Sequence, residues 1–309
     1  MVRFARIALR VGVVLLALGF VAYRYLLGRT AVPETSSYTL DLIELRHLAA
    51  SIPGERPLRV NHEEVAVGSL PRGVIFAGES LSVPHPMTHG AYQVVYPDGY
   101  VVIDSAFDEA GLRAMRNPDA EFSDEAFAAI QRALAGARKV VITHEHPDHS
   151  GGFAGYVAPE SLVGRLELTR EQLANTEQLE RARFPTSLAS ALTPIEYERA
   201  YALAPGVVLV KAAGHTPGSQ MVFVQLANGK ELMFLGDVAW HMDQIRELWY
   251  RPRLVTDLFI GEDRDAVLAQ LRTLHDLAGR DPVQLVASHD VDQRKALIES
   301  GALGPHFEF

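Results

Sequence analysis

The sequence predicts a layered α/β fold preceded by an N-terminal hydrophobic helix. Short apolar runs of strand length alternate with amphipathic helical stretches, with no break that would divide the body into two domains. Five of those runs end on a His or an Asp, and in layered α/β proteins the ligand crevice lies at the carboxyl ends of the strands. Before them, the first thirty residues carry one uninterrupted apolar segment flanked by arginine. At 309 residues and 48% hydrophobic content, the chain can bury a substantial core.

Taken in order, residues 1–30 read as a membrane anchor or signal segment. Arg3, Arg6 and Arg10 precede the apolar run from Val11 to Tyr23, and Arg24 and Arg29 follow it. The run is shorter than the ~20 residues of a spanning helix, but snorkelling by Arg10 and Arg24 extends it to about Ile7–Leu27. Phe20-Val21-Ala22 does not make a small-x-small cleavage site, which favours an uncleaved anchor over a cleaved signal or a buried core helix. The cationic flank keeps the N-terminus cytoplasmic, so the body is expected to be extracytoplasmic, or secreted or periplasmic if the segment is removed.

Residues 31–64 are expected to form a linker and lead-in, and 65–309 the main domain. Tyr92–Tyr96, Asp98-Gly99 and Val101–Ile103 predict one hairpin; Met221–Leu226, Asn228-Gly229 and Glu231–Leu235 predict another. Asp124–Ala135 and Asp263–Ala278 predict helices. Residues 159–204 show no good strand and read as a helical insertion, forming a wall or lid over the site.

Five strand ends then supply the chemistry. Val101–Ile103 leads to Asp104, Val140–Thr143 to THEHPDHSGG, Val207–Ala213 to GHTPG, Leu232–Leu235 to Gly236-Asp237, and Leu285–Ser288 to His289-Asp290. His144 and His146, two apart on an extended backbone, point the same way and can share one ion. Pro147 turns the chain so that Asp148 and His149 address a neighbouring position, and Gly151 and Gly152 let the backbone pass closely. His215, Asp237 and His289 would complete two coordination spheres. With no cysteine in the chain, any metal is held by nitrogen and oxygen, which suits two divalent ions, zinc first, with manganese or iron also compatible. Taken alone, His215 reads as a core or turn histidine, and Asp237 and His289 as strand-end or capping residues; the HEHPDH cluster changes that. Trp240 and His241, just after Asp237, are possible pocket residues. The remaining histidines, His89 among them, read as surface or packing residues.

These residues resemble the metallo-β-lactamase-fold hydrolases, in the lactonase and glyoxalase II-like branch. HEHPDH matches that family's H-x-H-x-D-H motif, and GHTPG, LGD and SHD follow in the expected order over about residues 65–295. The resemblance implies a four-layer αββα sandwich. It also implies one metal on His144, His146 and His215, a second on Asp148, His149 and His289, Asp237 between both, and Asp104 supporting the site without ligating. Two departures stand out: many lactonases have Tyr where this chain has Trp240, and often a second His where it has Ser219.

Two adjacent cations acidify a shared water to near neutrality, which predicts hydrolysis of an ester, lactone, thioester or amide by a metal-bridging hydroxide, with Asp148 accepting or relaying a proton. The alternatives are a mononuclear iron sulfur dioxygenase-like oxidoreductase of the same fold and a non-catalytic metal-binding surface protein. A small-molecule substrate is expected. Outside the first thirty residues 24 basic residues face 38 acidic ones, a net charge near −14 that suits nucleic acid poorly.

Overall fold

Two β-sheets lie face to face, each covered on its outer side by helices. The first has the order β4-β1-β2-β3-β5-β6, built from β1 (Arg59–Pro71), β2 (Pro84–Tyr96), β3 (Gly99–Ile103), β4 (Glu121–Phe122), β5 (Lys139–Val141) and β6 (Leu166–Glu167). The second has the order β11-β10-β9-β8-β7, from β7 (Ala200–Ala204), β8 (Val207–Lys211), β9 (Gln220–Gln225), β10 (Glu231–Phe234) and β11 (Gln284–Val286). This is the expected αββα arrangement. The computed structural model describes residues 2–115 and 120–309; Met1 of the expected first segment lies outside the described residues.

The strands read as continuous apolar runs because both of their faces are buried, and alternation along each strand decides which layer a side chain joins. Val101 and Ile103 point between the sheets, where they meet Leu209, Val222 and Phe234 of the second sheet. Val102 and Val140 point outward onto Ile130, Ala133 and Leu134 of the helix Asp124–Gly136. Val208 and Val210 point outward on the other side, onto Val267, Leu271 and Leu274 of the helix Arg264–Ala278. Both helices begin where the sequence places them, because Ser123 and Asp263 each accept a backbone N–H of the first turn. Both hairpins form, with Tyr92 opposite Ile103 and Glu231 opposite Gln225.

Two expectations are corrected. The stretch 31–64, expected as linker and lead-in, joins the body: the helix Leu42–Ala49 buries Leu42, Leu45 and Ala49 against the second sheet, and Arg59–Glu64 is the first half of β1, so the boundary expected at 65 cuts a strand. Nor is 159–204 helical throughout. Its short helices span Arg170–Ala174, Thr176–Arg181 and Thr186–Ala191, while Leu166–Glu167 forms the edge strand β6 and Ala200–Ala204 the edge strand β7. The helical stretch buries Leu179, Phe184 and Leu188 in the first core, so it is part of the body and not a separable lid. The N-terminal helix runs Val2–Leu27, and its segment Leu9–Leu27 is long and apolar enough to cross a membrane, by length and composition.

Candidate metal centre

All five strand ends converge at one edge of the sandwich. β3 ends into Asp104, whose positive φ of 64° turns its carboxylate back across the neighbouring strand end. There it accepts the Thr143 N–H at 2.6 Å and the His149 Nδ1–H at 2.9 Å. Pro147–Ser150 forms one helical turn after His146, which separates His144 and His146 from Asp148 and His149. The glycines at the strand ends permit close approach. A Cβ on Gly236, which sits at φ 51°, would lie 2.8 Å from Thr143 Cβ, and one on Gly152 would collide with the Ser105 carbonyl.

Two sets of ligand atoms result: His144, His146, His215 and Asp237 in one, Asp148, His149, His289 and Asp237 in the other, with the atoms of each within 4.8 Å of one another. Asp237 belongs to both, and its oxygens divide between them. Oδ2 lies 3.6 Å from His144 Nε2 and 3.3 Å from His215 Nε2; Oδ1 lies 3.2 Å from His149 Nε2 and 3.1 Å from His289 Nε2. Asp148 Oδ2 stands 3.5 Å from His289 Nε2 and 3.8 Å from His149 Nε2.

The outer nitrogens are held from behind. His149 Nδ1 pairs with Asp104, His215 Nδ1 with Glu262 Oε2 at 2.9 Å, and His289 Nδ1 donates to the Thr88 carbonyl at 2.8 Å. A carbonyl can only accept, so His289 Nδ1 carries a proton and Nε2 is the atom that faces inward.

These residues fit divalent cations. Among the described residues, His144 Nε2, His149 Nε2 and Asp237 Oδ1 are buried without a hydrogen-bond partner, an arrangement that costs about 1–3 kcal/mol per atom unless something cationic satisfies them. His146 Nδ1 and His215 Nε2 face each other at 3.0 Å, which two lone pairs tolerate only around a proton or a cation. Burial, and then the neighbouring histidines, hold His144 well below its usual pKa and His146 down to about 3, so both are neutral and able to ligate at neutral pH. Burial would raise Asp237, but His289, His149 and His144 outweigh it and keep the carboxylate ionised. For His149 burial is likewise outweighed, by Asp104, Asp237 and Asp148, which raise its pKa well above the usual value.

The structure thus brings together His144, His146, Asp148, His149, His215, Asp237 and His289, with Asp104 behind them. Trp240 walls the same space: its ring lies 6.3 Å from that of His215 and 6.2 Å from that of His289, and its indole N–H donates to Asp237 Oδ2 at 2.7 Å. His241 is one step further out, packed on Phe76 and His85 at 5.2 and 5.1 Å.

Several contributors escaped the sequence reading. His89, expected at the surface or in packing, is buried with Nδ1 3.5 Å from Asp148 Oδ2. Glu262 and Arg251 form a fully buried ion pair at 3.0 Å, joined by Tyr250, whose hydroxyl donates to Glu262. Arg251 also donates to the Asp237 carbonyl at 3.1 Å and lies 4.5 Å over the Trp240 ring. Glu145, between the paired histidines, is buried and accepts from Asn175 at 2.7 Å and Thr216 at 3.0 Å. The helical stretch carrying Asn175 therefore buttresses the HEHPDH segment. Strand alternation could have flagged His89 on β2; nothing local marks Glu262.

A family profile described as the metallo-beta-lactamase superfamily matches residues 87–289. An N-acyl homoserine lactonase of Bacillus thuringiensis is 22% identical over 157 residues, 51% of this chain and 57% of that protein. The chain thus spans little more than half the length of the curated relatives it matches. Among solved structures, a quorum-quenching N-acyl homoserine lactone lactonase superposes with a TM-score of 0.62 at 15% identity, over 79% of this chain and 97% of that one. A dizinc quorum-quenching lactonase bound to a product superposes with a TM-score of 0.53 at 14% identity, over 77% and 91%. At such identities the superpositions establish the fold.

Proposed function

We propose that this chain, which belongs to the metallo-beta-lactamase superfamily, is a two-metal hydrolase of an ester, lactone, thioester or amide bond. The observation that carries the reading is the division of the Asp237 oxygens between two histidine-lined sets. In this reading His144, His146 and His215 hold one ion, Asp148, His149 and His289 the other, and Asp237 lies between. The all-nitrogen-and-oxygen donors suit zinc, in keeping with a structural neighbour described as a dizinc lactonase. Two ions held there supply a polarised carbonyl oxygen and a water acidified toward neutrality.

The chain's own residues supply orientation and proton handling. Asp148 is the less buried of the two ligand carboxylates, at 14% side-chain exposure against 4% for Asp237. His149, His89 and His289 outweigh its burial and keep it ionised. It takes up the proton released as water adds to the carbonyl carbon and returns it to the departing oxygen, sulfur or nitrogen as that bond breaks. Asp104 and Glu262 fix the rings of His149 and His215, the role of carboxylates behind metal-binding imidazoles. Trp240 has its only polar hydrogen engaged by Asp237, so it walls the site and steadies that carboxylate without assisting the substrate as a tyrosine hydroxyl would.

The lactonase relatives make N-acyl homoserine lactones the first substrates to try. Metal content by mass spectrometry on the full chain should return two equivalents, with hydrolysis of lactones or activated esters abolished by chelation. A single iron atom with oxygen consumption on thiol or persulfide substrates would replace this reading with an oxidoreductase. Asp104→Asn, which preserves shape and tolerates the positive φ, is expected to weaken metal binding about 10–100-fold, measured by competition with a chromogenic chelator.

A further inference from the structure

The end of the N-terminal helix is fastened to the rim of the metal centre. The Leu27 carbonyl accepts from the Gly78 N–H at 2.7 Å, and Arg29 donates to the Glu247 carbonyl at 3.0 Å. Arg29 lies over the Trp249 ring at 4.9 Å and Arg253 over the Tyr25 ring at 5.0 Å. Arg264 donates to Thr30 Oγ1 at 2.8 Å.

The segments that receive the helix pack against Trp240, which walls the site. Phe76 packs on Trp249 at 5.1 Å and on His241 at 5.2 Å, and shares one apolar cluster with Met87, Val255 and Trp240. Apolar contact is therefore continuous from Trp240, whose N–H holds Asp237, through Phe76 to Trp249 and the helix end.

Beside this junction the π-helical segment Leu254–Ile260 buries Val255 and Thr256 and turns Leu258 and Phe259 outward, 66% and 73% exposed. Arg253 immediately precedes it and covers Tyr25 of the helix end that Arg24 and Arg29 bracket in sequence, on a body that is otherwise strongly acidic, although Arg253 also pairs with Asp257 at 3.2 Å. Two adjacent exposed apolar side chains, a tryptophan and a set of arginines at the end of an apolar helix make the pattern of a lipid-water interface.

We propose that this face rests on the bilayer that holds the N-terminal helix. Leu258 and Phe259 enter the acyl region, the arginines lie among anionic headgroups, and the metal centre takes its ester or lactone as an amphiphile drawn from the membrane surface. The docking rests on the N-terminal segment being an uncleaved anchor, and the choice of substrate on the hydrolase reading.

The test uses the full chain reconstituted into vesicles of phosphatidylcholine with phosphatidylglycerol. The chain has two tryptophans, so emission quenching by phospholipids brominated near the glycerol end reads Trp249 when compared with Trp249→Phe. Quenching that is present in the parent and lost in Trp249→Phe and in Leu258→Asp/Phe259→Asp supports the docking. That double variant should also lose about tenfold in kcat/KM toward a vesicle-borne long-chain ester and keep its rate on a soluble short-chain one. Leu258→Gln/Phe259→Gln, milder at the same exposed positions, should shift both readouts in the same direction. A chain that sediments with vesicles while Trp249 stays unquenched overturns the docking and leaves the anchor standing. A chain that stays in the supernatant overturns the anchor and the docking together. Quenching without hydrolysis of either ester supports the docking and counts against the hydrolase reading alone.

Discussion

Asp237→Ala is expected to empty both halves of the centre: metal content falls from two equivalents to below one, and turnover drops at least ~10³-fold. The reason is geometric. A single carboxylate places Oδ1 3.2 and 3.1 Å from His149 and His289 and Oδ2 3.6 and 3.3 Å from His144 and His215, so its loss removes the only anionic ligand of one set and one of two in the other. His289→Ala, which belongs to one set, should lose one equivalent and keep the other. Mass spectrometry and steady-state kinetics on the three proteins separate the outcomes. If Asp237→Ala retains two equivalents and near-parent turnover, Asp237 does not lie between two ions and the proposed mechanism fails.

Arg251→Ala is expected to destabilise the fold by about 3–5 kcal/mol, because it strands the Glu262 carboxylate without its cation in a fully buried position. Arg251 is itself imperfectly compensated, with Nε and Nη1 unpaired among the described residues, between the rings of Trp240 and Tyr250 at 4.5 and 5.1 Å. Replacing both charges, Arg251→Met with Glu262→Gln, should therefore cost much less than the single change. Denaturant titration of the metal-free parent, Arg251→Met, Glu262→Gln and the double variant, run as a double-mutant cycle, gives the coupling directly. Equal costs for the single and double variants would show that the pair does not act as a unit. In the metal-loaded protein the single variant should also weaken binding, since Glu262 orients His215 and Arg251 holds the Asp237 carbonyl.

The helical stretch 170–191, within the 159–204 insertion expected as a wall or lid, also supports the site's loops. Gln172 donates to the carbonyls of Ile142 and Gly218 at 3.1 and 3.0 Å, bridging the loops that carry His144 and His215, and Asn175 holds Glu145. The short helices thus position the metal-facing segment from beneath.

Much of the molecule was legible in order. The paired histidines in HEHPDH, the Asp or His at each strand end, the two hairpins and the two capped helices all follow from local pattern, because period-2 burial, turn chemistry and side-chain capping act over a few residues. What the sequence by itself determined was which residues could carry the chemistry and that they stand at strand ends. Only the tertiary structure decided that those ends share one edge and that Asp237 divides its oxygens. It alone decided that Glu262 stands behind His215 across 47 positions of sequence and that His89 reaches Asp148. It also made strands of Leu166–Glu167 and Ala200–Ala204, where the local sequence favours helix. A two-residue edge strand takes its conformation from the neighbour it bonds to, and a buried carboxylate takes its role from the charge it faces, so neither leaves a periodic trace in the chain that carries it.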